Sequence, residues 1–293
     1  MENNEILRKG TLGIVWTEPL IKAKNASSCA VLIPVYKRIE KLSKFEQASI
    51  SRTIEILGKK YEIMLVCGYS FDCEEYNREF SYDFSYIKCS DAYFKSQKSY
   101  SDLCEEWKFY DSLSNYEYIL ICQPDAWVFE DKLEHFISLG YDYIGSVHML
   151  RANGNGGKVG NGGFSLRKTK KFSELCKETD FGKFGYFLFE DCAFCIKLKD
   201  KLNIADLATG FEFGWQEQPQ AAYQKTGKLP FGCHNPMKNN WNFWRNYIKL
   251  SDKMFDANEA KVLSDAENFS IRGKYTRGVL PHKKKTPTMR VSY

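Results

Sequence analysis

Four short motifs carry the residues whose types and spacing could do chemistry. In chain order they are IPVYKR at 33–38, QPDAW at 123–127, VGNGGFSLR at 159–167 followed by ED at 190–191, and FGCH at 231–234. Asp125 follows a run too apolar to be exposed, so its carboxylate must be paired, cap a turn or bind a cation. His234 adds an imidazole, which suits Mn²⁺ better than Mg²⁺. Asp125 and His234 are therefore candidate ligands of one divalent cation, although each alone is also explained by hydrogen bonds to nearby backbone.

The second kind of chemistry lies in the adjacent acids Glu190 and Asp191, at the start of a predicted helix. Acids favour that end of a helix dipole, which is a structural explanation. The functional interpretation is that one of them is a general base, and position alone does not say which. A predicted turn at Gly162-Gly163 would let the backbone approach a ligand, and Arg167 is available to bind an acid or a phosphate.

The first motif ends an apolar strand and carries groups suited to a nucleotide. Pro34, Val35 and Tyr36 can hold a nucleobase against backbone and ring, while Lys37 and Arg38 could meet phosphate. The alternative is a strand-ending turn with surface charges. The glycine-rich segment matches neither a P-loop nor a dinucleotide-binding fingerprint, so those two classes are discarded.

The elements between the motifs predict an α/β fold with a mixed, mostly parallel sheet flanked by helices. The predicted strands are 29–35, 61–68, 84–89, 116–122 and 142–146. The predicted helices are 43–58, 101–114, 131–140 and 190–202. The glycine-rich segment 153–163 is predicted to be a loop, because glycine's backbone entropy opposes regular structure. In an open α/β sheet, ligands bind beyond the carboxyl ends of the strands, where three of the motifs lie.

Composition bounds the class of protein. With 43% hydrophobic and 27% charged residues, the chain is typical of a globular protein, and no apolar run approaches the roughly 20 residues of a membrane span. The beginning of the sequence lacks the apolar run and cleavage site of a signal peptide, and the ten cysteines are scattered. We therefore predict reduced thiols and a cytoplasmic location, with contact at the inner face of the membrane as a further option.

Charged residues are unevenly distributed along the chain. Residues 268–293 contain seven Lys or Arg and no acid. We predict a lead-in over 1–28, one catalytic domain over 29–250, and an extension over 251–293 that ends in this basic tail. The tail is expected to make peripheral contact with anionic membrane, a merely solvated end being the alternative, and no nucleic-acid partner is expected.

The motif string and its order, over about residues 29–248, resemble a GT-A-like family of largely uncharacterised glycosyltransferases. More distantly, the chain resembles the inverting β-1,4-galactosyltransferases, in which an Asp motif and a late His hold manganese. The resemblance implies that Asp125 and His234 bind Mn²⁺ or Mg²⁺ and that Asp191, or Glu190, is the base. The usual D-x-D is replaced here by Gln123-Pro124-Asp125, which puts metal binding in doubt, and Gln123 is counted with Asp125 among the nucleotide-sugar contacts.

These observations predict a glycosyltransferase that moves a hexosyl or N-acetylhexosaminyl group from a nucleotide sugar, most simply a UDP-sugar, with inversion. The expected acceptor is a glycan or lipid-linked hydroxyl in surface polysaccharide biosynthesis. Two alternatives stay open. A sugar-phosphate nucleotidyltransferase should carry a Gly-rich loop after its first strand, and PVYKRIEKLSKF has no Gly. A non-catalytic nucleotide- or glycan-binding protein would explain the missing acid.

Overall fold

The computed structural model describes residues 12–24, 27–148, 158–185 and 188–250 of the chain. The predicted extension over 251–293, with its basic tail, and the first part of the glycine-rich segment lie outside the described residues. The domain boundaries therefore remain predictions.

The strands in the described part of the chain form one sheet. Its ten strands there are β1 Leu20–Lys22, β2 Cys29–Pro34, β3 Glu62–Gly68, β4 Ser85–Cys89, β5 Tyr118–Cys122, β6 Ala126–Val128, β7 Tyr143–His148, β8 Lys158–Lys168, β9 Gly214–Trp215 and β10 Gly232–His234. They are ordered β1-β4-β3-β2-β5-β8-β7-β9-β10-β6.

The α-helices of the same residues flank this sheet. They are α1 Lys44–Leu57, α2 Cys73–Phe80, α3 Gln97–Glu105, α4 Trp107–Asp111, α5 Leu133–Ser138, α6 Thr169–Glu178, α7 Glu190–Cys192, α8 Leu207–Phe213, α9 Pro219–Thr226 and α10 Trp241–Trp244. Short 3₁₀ turns cover Ile39–Lys41, Asp91–Phe94, Phe181–Phe184 and Lys199–Lys201.

Strand direction decides where a site can form. Strands β4, β3, β2 and β5 run parallel, and β8 lies antiparallel between β5 and β7. Strand β9 is parallel to β7, and β10 is parallel to β9. The carboxyl ends of β2, β5, β7, β9 and β10 therefore meet at one edge, together with the first half of β8. The mixed, mostly parallel α/β sheet confirms the predicted fold class.

Apolar runs make the centre of this sheet. Every residue of β2, β3 and β5 is buried, as expected for strands covered by helices on both faces. Helix α1 begins with the predicted capping box, in which Ser43 and Glu46 each bond the other's backbone N–H. It packs on β6, where the Arg52 guanidinium donates to Val128 O and Phe129 O.

The predicted loop over the whole of 153–163 is wrong for 158–163. These residues belong to β8, where Lys158, Val159 and Asn161 pair with β7 and Gly163 O accepts from Gln123 N, so hydrogen bonds and burial offset the backbone entropy of glycine. The predicted turn at Gly162-Gly163 is a bulge inside the strand. Gly145 lies opposite Ser165 and Ser146 lies opposite Asn161, so three residues of β8 bow out between them.

Two predicted helices are broken. Helix 101–114 is divided, because α3 begins after the Ser96 cap and ends where Glu106 adopts an extended conformation before α4. The predicted helix 190–202 is a single α-turn followed by a π-helical turn, Ala193–Lys197, and a 3₁₀ turn. Apolar periodicity predicted the buried faces but not these breaks.

Two predictions about surface and core can be compared with the described residues. Trp241 and Trp244 are buried, and the Trp244 ring lies 5.6 Å from that of Phe129, so both pack on the domain. Within the described ranges, no helix combines the length and apolar character that crossing a bilayer requires.

Candidate active site

A tight turn after β5 presents Asp125. The Ala126 N–H donates to Gln123 O at 2.8 Å, which closes a β-turn with Pro124 at its second position, where proline's fixed φ is favoured. The next strand, β6, pairs with β10 so that Ala126 lies opposite His234. The Asn235 N–H then donates to Asp125 O at 2.8 Å. Residues more than a hundred positions apart in the sequence are thereby brought together.

Three side-chain oxygen atoms lie close to the two ring nitrogens of His234. His234 Nε2 lies 3.2 Å from Asp125 Oδ1 and 3.1 Å from Gln123 Oε1, while Nδ1 lies 3.3 Å from Gln216 Oε1. If Nδ1 carries the proton and donates it to Gln216, the Nε2 lone pair faces two oxygen acceptors. A cation bound between Nε2 and these oxygens would satisfy all three atoms.

The donor set fits a divalent cation. Neighbouring ligands of an octahedral ion bound at roughly 2.1 Å lie roughly 3 Å apart, which is the separation of His234 Nε2 from each oxygen. One imidazole with one carboxylate and one amide oxygen suits Mn²⁺. Among the residues that the structure describes, no cluster of three or more His, Cys, Asp and Glu side chains is present, so Gln123 or a ligand oxygen must complete the shell.

The electrostatic setting keeps Asp125 ionised. Burial opposes ionisation, but His234, and then Lys238, hold the pKa of the Asp125 carboxyl below its ordinary value. The side chain is 34% exposed, so it remains accessible to a ligand. Lys238 itself is exposed. The corner thus combines a partly exposed carboxylate, a buried imidazole and an exposed lysine ammonium.

The two glycines of the β8 bulge lie between this corner and the acid pair. A Cβ on Gly163 would lie 2.2 Å from His234 Nε2 and 2.7 Å from Gln123 Oε1. A Cβ on Gly162 would lie 2.6 Å from Glu190 Oε1. Only glycine allows such close approach at both positions. The bulge is fixed by the Asn161 side chain, whose Oδ1 accepts from Gly163 N at 3.0 Å and Phe164 N at 3.3 Å.

These contacts place the two halves of the site close together. The chain of contacts through Gly162 and Gly163 limits the separation of Asp191 Cβ and His234 Nε2 to about 12 Å. The predicted metal pair and the predicted acid pair are therefore close enough for one nucleotide sugar to contact both.

The two acids differ in their surroundings. Glu190 is only 8% exposed, its N–H donates to Ser101 Oγ on α3 at 2.7 Å, and its Oε1 accepts from Arg167 at 3.3 Å. Burial, followed by the Asp191 charge, raises the pKa of Glu190, against the opposing effects of Arg167 and Ser101. Asp191 is only half-buried. Its Oδ2 accepts from Gly162 N at 3.2 Å and its Oδ1 from Cys192 N at 2.6 Å.

Arg167 is the clearest correction to the sequence prediction. We expected it to bind an acid or phosphate of the ligand, but its side chain is fully buried. Its guanidinium donates to Tyr110 OH at 2.9 Å, to Ser165 Oγ at 3.2 Å and to Glu190. It packs among aromatic rings, with the Phe194 centroid 5.5 Å away. Its partner is therefore Glu190, and it reaches a ligand only through that residue.

The first motif divides into a buried and an exposed part. Pro34 and Val35 are buried, and the Val35 N–H donates to Val66 O at 2.8 Å, so only their backbone edge can face a ligand. Tyr36 is 63% exposed and offers its ring. Arg38 is 75% exposed and lies 3.3 Å from Glu40, so it is paired away from Asp125.

Sequence reasoning did not single out three further residues of the site. Lys238 and Gln216 were given no role, and Lys37 was named only together with Arg38. Lys37 donates to Glu46 at 2.7 Å. Burial favours its neutral form, but Glu46, with smaller effects of Tyr36 and Asp125, raises the pKa of Lys37. Lys37 is thus held in an ion pair by Glu46. Lys238 follows His234 by four positions. Gln216 comes directly after β9, and its side chain contacts His234. No spacing rule singled out either one, because their proximity comes from the pairing of β9 with β10.

Comparison with known proteins assigns the chain to a family. Residues 83–234, just over half of the sequence, match the family described as Protein of unknown function (DUF5672). The chain belongs to this family. The matched segment of the DUF5672 protein runs from the start of β4 to His234 and so contains the Asp125 turn, the β8 bulge and the acid pair. No curated protein sequence matches the chain.

Solved structures with a similar fold are glycosyltransferases. The apo form of the glycosyltransferase GlyE from Streptococcus pneumoniae TIGR4 is 14% identical to the DUF5672 chain, with a TM-score of 0.50 over 83% of this chain and 64% of GlyE. A glycosyltransferase involved in glycosylation of the major capsid of PBCV-1 is 11% identical, with a TM-score of 0.43 over 70% of this chain and 92% of its own. Core-mannan synthase A from Aspergillus fumigatus, in a Mn/GDP form, is 13% identical, with a TM-score of 0.39 over 56% and 67%.

The similarity to GlyE shows a glycosyltransferase-like fold for this chain. At 14% identity the likeness to GlyE concerns the fold alone, and this chain spans less than two thirds of GlyE's length. None of the three structures is a β-1,4-galactosyltransferase, so the narrower resemblance stays a prediction.

Proposed function

We propose that this protein is a metal-assisted glycosyltransferase that takes a nucleotide sugar, with UDP as the favoured nucleotide, and transfers the sugar to a hydroxyl with inversion. One observation carries the proposal: the Gly162-Gly163 bulge brings a metal-type corner and a carboxylate pair to within about 12 Å of each other. The GT-A-like fold supports the same conclusion, because its nucleotide ligands bind at this edge of the sheet.

The donor's diphosphate is assigned to the corner of Asp125 and His234. A bound Mn²⁺ or Mg²⁺ held by these two residues, with Gln123, would neutralise phosphate charge there. Lys238 supplies further positive charge at the same corner and helps to hold the pKa of Asp125 down, and Lys37 is assigned to the diphosphate as well. The backbone after β2 and the exposed Tyr36 ring are assigned to the nucleobase. This arrangement stabilises the nucleoside diphosphate as a leaving group.

Asp191 is assigned as the general base. In the transfer, the acceptor hydroxyl oxygen attacks the anomeric carbon, the bond from that carbon to the diphosphate breaks, and Asp191 takes the hydroxyl proton. Its two backbone N–H partners, Gly162 and Cys192, hold the carboxylate in position. Glu190 and its partner Arg167 lie behind it and serve as positioning residues. Attack from the side opposite the leaving group gives inversion.

The biological setting follows from the same assignment. We infer a glycan or lipid-linked acceptor in surface polysaccharide biosynthesis, with residues 29–250 as the catalytic domain. Residues 251–293 would bring this domain to an anionic membrane at its cytosolic face. The relation to inverting β-1,4-galactosyltransferases is proposed on the Asp motif and the late His alone.

Ligand binding tests the proposal directly. UDP, GDP, CMP and dTDP sugars are compared by thermal shift and calorimetry, with Mn²⁺ and with EDTA. We expect a UDP-sugar to bind more tightly with Mn²⁺, Asp125→Ala to remove the difference, and the exposed Asp111→Ala to preserve it. Equal affinity in EDTA would remove the metal role of both ligands. Tight binding without slow hydrolysis of the sugar would favour the non-catalytic binding protein.

A further inference from the structure

A groove of about 430 Å³ lies between α9 and α10, outside the site described above. Its lining consists of carboxamide side chains and two aromatic rings, and no residue lining it among those described carries a charge. Gln220 and Gln224 contribute from α9, and Asn242 contributes from α10. All three are exposed. A lining without charge is unusual for a chain in which 27% of residues are charged. It favours neutral ligands over charged ones.

The amides of this groove are available for a ligand. The side chains of Gln220, Gln224 and Asn242 make no hydrogen bond with another residue in the described ranges. Asn240 uses its Oδ1 to accept from Phe243 N at 3.3 Å, which leaves its NH₂ group. Asn246 donates from its NH₂ group to Asn242 O at 3.0 Å, which leaves its Oδ1. The groove therefore presents both donors and acceptors, in a form that no change of pH removes.

Two aromatic rings form the apolar part of the same groove. The Tyr223 and Phe243 ring centroids are 5.9 Å apart, and both residues are half-buried. The Tyr247 ring packs against both, with its centroid 5.6 Å from that of Tyr223 and 5.1 Å from that of Phe243. Rings held in this way offer a rigid apolar face at little cost in conformational entropy.

The lining chemistry points to a neutral, polyhydroxylated ligand. A phosphate or carboxylate would need a cationic partner, and the described lining contains none. An apolar side chain placed here would leave most of these amide groups without hydrogen-bond partners, which is unfavourable. A sugar ring has hydroxyls at its rim, which match amides as donors and acceptors, and C–H groups on its face, which pack on an aromatic ring.

Short segments of chain connect the groove to the His234 corner of the proposed transfer site. Strand β9 leads through Gln216, which contacts His234, into α9, and β10 leads through His234 into the turn before α10. Gln220 follows Gln216 by four residues, so the two Cα atoms are at most about 14 Å apart. Asn240 closes the turn with a left-handed φ of 66°, a conformation that Asn tolerates better than most residues.

We propose that this groove is a subsite for a neutral glycan, and that it holds the acceptor oligosaccharide beyond the residue that receives the sugar. The acceptor role rests on the proposed function, whereas glycan binding rests on the groove alone. The amides of α9 and α10 bond the hydroxyls, and the Tyr223–Phe243 face packs against a sugar ring.

Glycan binding by the full-length protein tests the inference without any transfer reaction. Maltotriose, cellotriose and chitotriose are titrated separately by ligand-observed NMR and calorimetry, in the absence of nucleotide. We expect at least one trisaccharide to saturate the protein. The double variant Gln220→Ala/Gln224→Ala should weaken it about tenfold, the effect of losing two hydrogen bonds. Alanine is the most favourable helix residue, so α9 should keep its structure.

Two further variants complete the design. Phe243→Leu should weaken the same trisaccharide by a similar factor, because it removes the flat face and retains an apolar side chain. Asn203→Ala, an exposed amide at the amino end of β7, is the matched control and should bind as the wild type does. UDP affinity should be unchanged in every variant.

The outcomes separate this inference from the proposed function. Absence of binding for every trisaccharide, or equal binding by wild type and the double variant, overturns the glycan subsite even if UDP binds. Trisaccharide binding that the variants weaken supports the subsite even if no UDP-sugar binds, in which case the transferase assignment alone fails.

Discussion

Glu190 and Asp191 are neighbours in sequence, yet their contacts give them different chemistry. The Glu190 carboxylate is buried against a buried guanidinium, and its raised pKa reflects the cost of ionisation in that environment. Asp191 reaches the space beside the bulge and is bonded only to backbone N–H groups. A group that must exchange a proton with a substrate has to be accessible. Accessibility therefore favours Asp191, which position in the sequence could not decide.

Asp191→Asn should reduce turnover by roughly 10² or more while donor affinity changes only a few-fold, since Asn keeps the shape but takes no proton. Glu190→Gln should act mainly on stability, because it leaves the Arg167 charge buried without its partner. The measurements are single-turnover rates, UDP affinity and thermal unfolding for both variants. Retention of most activity by Asp191→Asn would mean that the base lies elsewhere.

Glu105 has a pH-dependent effect on stability that can be predicted with its sign. Burial, opposed by Lys98 and assisted by Asp102 and Glu190, raises the pKa of Glu105 to about 8 from 4.5. Between these values the folded state holds a proton that the unfolded chain releases, so the free energy of unfolding falls as pH rises.

Glu105→Gln should flatten this fall, with a difference of a few kcal/mol accumulating between pH 5 and pH 8, since each pKa unit corresponds to about 1.4 kcal/mol. Urea unfolding at pH 5, 6.5 and 8 measures it. Glu174→Gln, exposed on α6, should follow the wild-type dependence. A wild-type stability that does not fall over this range, or an equal fall in Glu105→Gln, would contradict the assigned pKa.

At the scale of elements, local signals predicted what local chemistry determines. The apolar runs of β2, β3 and β5 and the Ser43/Glu46 capping box require only short-range information, and the structure confirms them. The β8 bulge depends on neighbours on both sides of the strand. A glycine-rich sequence therefore suggested a loop where two partner strands, distant in sequence, build a buried strand.

The same limit applies to the candidate site. Motif residue types predicted that Asp125 and His234 would belong together, which the β6–β10 pairing brings about. Burial could not be predicted at Arg167, because a basic residue on a strand is ordinarily exposed unless it has a buried partner. The roles of Gln216 and Lys238 likewise depend on which strands are adjacent rather than on sequence spacing.

The bulge is the element on which the site's geometry depends, and Gly163→Ala tests it. The new Cβ would overlap His234 Nε2 and Gln123 Oε1, so the corner must shift. We expect Mn²⁺-dependent UDP binding and turnover to fall by about 10², the scale associated with displacements of about 1 Å in a site. Gly160→Ala on the same strand is the control, because its Cβ would contact only Cys195, at 3.3 Å. Equal activity of the two variants would show that the bulge does not set the geometry.

At the scale of the whole molecule, basic residues are concentrated in the last part of the sequence. Of 42 basic residues, seven lie in residues 268–293. The rest of the chain contains the remaining 35 basic residues and all 37 acidic residues. The part that contains the candidate site is thus nearly neutral overall, and its positive charge at the Asp125 corner is local. A basic tail that acts on membranes rather than on substrate should be removable without loss of the chemistry.

Truncation after Glu267 tests this separation. Each basic residue near an anionic surface contributes about 1 kcal/mol, an attraction that falls within a Debye length of about 8 Å at physiological salt. Full-length protein should co-sediment with vesicles containing phosphatidylserine, less so at high salt, and not with purely zwitterionic vesicles. The truncated chain should lose this binding and keep turnover on a soluble acceptor, because Asp125, His234 and Asp191 all remain. Unchanged sedimentation would reject the membrane role, and loss of turnover on the soluble acceptor would show that the tail contributes to the catalytic domain instead.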